Sequence, residues 1–92
     1  MNIAQAVRRY LAPQPDRYLD SRTGSPSERD LITAAKLAAD WRRDGPAATA
    51  AIFYALHVNH KYSHGRIQAI TDLSTTTIAR LIEKHRGVVA DG

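Results

Sequence analysis

The chain has 92 residues, no Cys, and 13 Lys and Arg against 9 Asp and Glu, for a net charge of +4. One domain of that length buries a single modest core and has little room for an enclosed active site, and without Cys neither a disulfide nor a thiolate metal site can form. The opening MNIAQAVRRYLAPQ lacks the apolar run of a secretion signal, and no stretch reaches the roughly 18 apolar residues of a membrane span, so a cytoplasmic protein is expected.

Taken in order, the first helix is expected over residues 3–11. Ile3, Ala6, Val7, Tyr10 and Leu11 fall at three- and four-residue spacing on one face, and Pro13 and Pro15 stop it. Residues 14–24 read as a polar loop anchored by Tyr18 and Leu19. A second helix is expected to start at Ser25-Pro26-Ser27-Glu28, with Ser25 as the cap, Pro26 at the first helical position and Glu28 closing a capping box. Its stripe Leu31, Ala34, Ala35, Ala38 and Trp41 runs to a stop at Gly45, with Arg42 and Arg43 suited to the negative end of the helix dipole.

A third helix is expected from Pro46 to about His60. It is apolar nearly all round, which marks a buried helix, so it should form the centre of the core, with Ile52, Phe53 and Leu56 as its large members and Trp41 against them. Two more helices are expected over 65–71 and 75–86, joined by Asp72-Leu73-Ser74. Ser74 is a good N-cap, Ile78, Leu81, Ile82 and His85 make the inner stripe, Gly87 ends the helix, and residues 88–92 should fray. No β-patterned run is present. The fold class expected is all-α, a single domain of four or five helices over 1–92 with no wing.

The charge is uneven. Between Lys61 and Arg86 lie five cations and two anions, which is +3 of the +4. That bias permits contact with nucleic acid and by itself equally describes a solvated face.

The run RIQAITDLSTTTIARLIEKH, Arg66 to His85, resembles the helix-turn-helix of bacterial and phage transcription regulators. Ile67 and Ile70, then Leu73, then Ile78, Leu81 and Ile82 match its apolar offsets, and the motif spans 64–86, about a quarter of the chain. Asp72 stands where many members have Gly, and Asp tolerates the left-handed region better than most residues. Gln68 stands where many have a small Ala, so either Gln68 sits at an edge of the packing or the first helix is rotated.

The resemblance implies that the last helix enters a DNA major groove. Ser74, Thr75, Thr76, Ala79, Arg80 and Glu83 would then face base edges. Lys61, His64, Arg66, Thr77, Lys84 and Arg86 would meet phosphates. It implies a sequence-specific, nucleoid-associated transcriptional regulator, with plasmid partition, excision or replication control as other DNA-binding roles. One such motif buries little DNA, so a homodimer is expected, with the 3–11 helix as the pairing element. The alternatives are a plain helical hairpin, and an accessory protein of phage or plasmid type that acts on a protein partner.

His57, His60 and His64 are spaced as zinc ligands can be, but no Cys or carboxylate completes a set and surface or capping roles are the simpler reading. No nucleophile elbow or Gly-rich phosphate loop is present, so neither an enzyme nor a cofactor is expected.

Overall fold

A computed structural model describes residues 2–11 and 27–91, and every described element is helical. The order is α1 (Ile3–Tyr10), α2 (Glu28–Leu37), α3 (Trp41–Asp44), α4 (Pro46–Tyr54, passing into a π-helical stretch Ala55–Asn59), α5 (His64–Thr71) and α6 (Thr75–Asp91). The all-α expectation holds. The predicted loop at 14–24, with Tyr18, Leu19 and the cap residue Ser25, lies outside the described residues.

The centre is α4. Ala48, Thr49, Ala50, Ala51, Ile52 and Phe53 are all buried, so six successive positions, which point in every direction round a helix, lack water contact. Such a helix needs neighbours on all sides. It packs on α1, α2 and α3, and most extensively on α6. Eight of the eighteen buried apolar residues among those described are Ala, which lets helix backbones approach closely.

α1 is part of this core. Asn2 and Gln5 cap it reciprocally: Gln5 N donates to Asn2 Oδ1 (2.8 Å) and Asn2 N to Gln5 Oε1 (3.0 Å). Ala6 and Val7 are fully buried within the protomer, and Ile3, Tyr10 and Leu11 pack against the same cluster. The expectation that the core closes without this helix is therefore corrected: α4 is buried on all sides and α1 is one of the helices that cover it.

The second helix is shorter than its sequence stripe. Ser27 is its N-cap, accepting from Asp30 N (3.2 Å) and donating to Asp30 Oδ2 (2.9 Å). Glu28, the first residue of the helix, accepts from the Tyr62 hydroxyl (2.6 Å), and the capping box expected between it and Ser25 falls outside the described residues. The helix stops at Leu37, and the Ala38 carbonyl at its end accepts from the Thr49 hydroxyl inside α4 (2.9 Å). That bond satisfies a carbonyl left open by the helix end. Trp41 then opens the separate turn α3 and is only partly buried against the core. Gly45 joins α3 to α4 at φ 97°, a conformation for which L residues are strained.

The last helix does not end at Gly87. It runs on to Asp91, with Val88 and Val89 about half exposed. A methyl group added at Gly87 would meet nothing within 4 Å. Gly87→Ala is therefore expected to stabilise the protein by about 0.5–1 kcal/mol, since Ala loses less backbone freedom in a helix interior. A melting temperature raised by several degrees would bear this out; an unchanged or lower one would mean that the helix stops at Gly87 after all.

The inner stripe of α6 is as expected: Ile78, Leu81, Ile82 and His85 are buried. The His85 ring lies 4.9 Å from that of Tyr54, tilted by 58°. Burial disfavours its charged form and holds its pKa below the ordinary 6.5. The unfolded chain thus binds a proton more readily than the folded one. The contribution of neutral His85 is complete above about pH 6.5 and is lost as pH falls through the depressed folded value. Urea midpoints measured from pH 7.5 down should fall less steeply for His85→Phe than for the wild type; parallel curves would refute this.

Candidate nucleic-acid interface

α5 and α6 are joined by Asp72, Leu73 and Ser74 alone. Asp72 sits in the left-handed region at φ 61°, ψ 14°, and its N–H donates to the Gln68 carbonyl (2.8 Å), closing α5 as Gly commonly does elsewhere. Thr71 supports the turn from below: its hydroxyl donates to the Ile67 carbonyl (2.9 Å). Ile67 and Ile78 are fully buried, and Ile70 and Leu73 pack against the core. Gln68 is exposed, which settles its place at the edge of the packing.

Ser74 caps α6. Thr77 N donates to Ser74 Oγ (3.2 Å), and the Ser74 hydroxyl donates to Thr77 Oγ1 (2.9 Å). Its proton is therefore already used, which narrows its expected role at a base edge. Opposite the buried stripe, Thr76, Arg80 and Glu83 are exposed, flanked by exposed Thr75 and half-buried Ala79. Glu83 lies 3.6 Å from Arg86 Nε. An exposed pair like this holds weakly. Arg80 and Lys84 have no ion pair among the described residues.

Of the six expected phosphate contacts, Arg86 stands apart beside Glu83, and the other five fall into two groups. Thr77 and Lys84 lie with Arg80 beside α3, where Trp41 and Arg42 complete a shallow cleft. Lys61, His64 and Arg66 belong to the turn that enters α5. There Lys61 takes φ 63°, and Tyr62 N reaches back to the Leu56 carbonyl (3.0 Å), closing the π-helical end. The Arg66 guanidinium stacks 3.9 Å from the centre of the Tyr62 ring. The Glu28 carboxylate that accepts from the Tyr62 hydroxyl raises that phenol above its ordinary pKa.

The His64 ring stacks on His57 at 4.7 Å. His57 Nδ1 lies 2.7 Å from the Tyr62 carbonyl, and since a carbonyl only accepts, this nitrogen carries the proton. Among the described residues no three His, Cys, Asp or Glu come together as metal ligands. His57 is held to this turn by its hydrogen bond and His64 by its stacking on the His57 ring.

Sequence reasoning left Arg42 out of the candidate site and gave Trp41 only a core role, and Trp41 does pack against the core. It assigned Trp41 to the core and Arg42 to a helix end. The signal was present as an Arg next to an aromatic residue just before Gly45-Pro46, but which helix lies opposite is a tertiary fact. No family model, curated protein or solved structure matches the chain. No described helix is long and apolar enough to cross a membrane.

Proposed function

We propose that the protein binds double-stranded DNA in a sequence-specific way, with the N-terminal half of α6 in the major groove, and acts as a regulator of transcription. The observation that carries this reading is the α5–turn–α6 unit. It combines a left-handed Asp72 with apolar inner faces, and it leaves an outer face of Thr75, Thr76 and Arg80 next to Lys84, a cation with no ion pair among the described residues. The Thr hydroxyls and methyls suit base edges and thymine methyls, and an Arg suits guanine.

Two copies on a two-fold site would supply the affinity that one recognition helix lacks. Sedimentation of the bound complex reads that stoichiometry.

The test is selection from a pool of random duplexes, followed by fluorescence anisotropy across a salt series. The reading requires one enriched sequence and an affinity that falls steeply with salt, as displacement of phosphate counterions dictates. If no duplex binds even at low salt, the reading fails and an apolar protein partner takes its place.

A further inference from the structure

We propose that the cleft between α3 and α6 is a phosphate clamp in which Arg42 and Lys84 hold one strand of the duplex read by α6. This inference rests on the DNA reading above. The cleft has a volume of about 230 Å³ and is lined by Trp41, Arg42, Thr77, Arg80 and Lys84, among others. Three of its lining residues are cations and none is a carboxylate. Asp40 borders the adjoining hollow, and its carboxylate lies 3.4 Å from Arg43 Nε.

The cations are also prepared for an oxyanion. The Arg42 guanidinium stands over the Trp41 ring, 5.2 Å from its centre. An aromatic face supports the planar guanidinium without neutralising it. Thr77 Oγ1 accepts from Ser74, which leaves its own proton for an incoming oxygen. Three like charges round one hollow repel each other, and a phosphodiester relieves that repulsion. The cleft flanks the outer face of α6, on the side where Thr77 and Lys84 lie. With the outer face in the groove, it lies toward one of the bounding strands, where contacts set register and carry no sequence information.

The experiment measures duplex affinity against salt for the wild type, Arg42→Gln and Lys84→Gln, on the selected sequence and on an unrelated one. Arg9→Gln, an exposed cation on α1, controls for net charge, and circular dichroism checks helix content. Each cleft variant should lower the magnitude of the log affinity–log salt slope by about 0.9, equally on both duplexes, with sequence preference unchanged. Arg9→Gln should leave the slope as it is.

A wild type that binds with a slope unaltered in both cleft variants overturns the clamp and leaves the DNA reading intact. So does an equal fall in Arg9→Gln. Saturable binding of inorganic phosphate at the cleft, with the duplex slope unmoved in Arg42→Gln, would assign it to a free phosphate and also overturn the clamp. A wild type that binds no duplex removes the DNA reading itself.

Discussion

Arg80→Ala is expected to cost about 1–3 kcal/mol of preference for the selected duplex, roughly five- to 150-fold, while binding to an unrelated duplex changes little. Arg80 is exposed, lies between the outer face of α6 and the Arg42–Lys84 cleft, and has no ion pair among the described residues. Its five donors are therefore open to a guanine edge. Ala and Arg have similar helix propensities, so the variant should melt with the wild type and the loss can be assigned to recognition. Competition between the two duplexes, measured for both proteins, gives the preference directly. An unchanged ratio, with weaker binding to both, would make Arg80 a phosphate contact and would move base reading to Thr75 and Thr76.

What the sequence made legible was local or periodic. The inner stripe of α6, the Ser74 cap and the left-handed Asp72 each depend on neighbours within a few residues, and each is found. The misreadings have a common physical origin in distant contacts. α2 ends at Leu37, with no Gly or Pro to mark it, and its terminal Ala38 carbonyl is taken by Thr49, eleven residues on. The Tyr62 hydroxyl that Glu28 accepts lies 34 residues along the chain, beyond the reach of any local pattern. The place of α1 in the core follows from the unusual apolarity of α4, a consequence that periodicity within α1 cannot express.

Gly87 was a different kind of misreading. Glycine is a weak stop, costing about 1 kcal/mol inside a helix, and Val88 and Val89 continue the spacing from His85. That continuation was visible in the sequence and outweighs the single glycine. At the interface, the outer face of α6 follows from helical periodicity once the inner stripe is known. The Trp41–Arg42 side of the cleft does not, because nothing in residues 38–45 states that this turn lies beside Thr77 and Lys84.

The platform under that face rests on few large side chains, and Phe53→Ala is expected to cost about 3–5 kcal/mol, the usual penalty for emptying a buried Phe site. Phe53 is fully buried on α4, the helix against which α6 packs most extensively, and it heads the fully buried side chains by volume. Eight of the eighteen buried apolar residues among those described are Ala, whose short side chains cannot reach across to fill the space it leaves. A domain of this length is stable by roughly 5–14 kcal/mol, so the variant forfeits a large fraction of the total. Urea denaturation should show a much lower midpoint, whereas Leu37→Ala, at a half-exposed site, should shift it by about 0.5 kcal/mol or less. Because α6 is seated on α4, duplex binding by Phe53→Ala should fall in step with its folded fraction and recover when temperature is lowered toward that of maximum stability. A loss below about 1 kcal/mol would show that the site collapses freely, and that α4 does not hold α6 through this side chain.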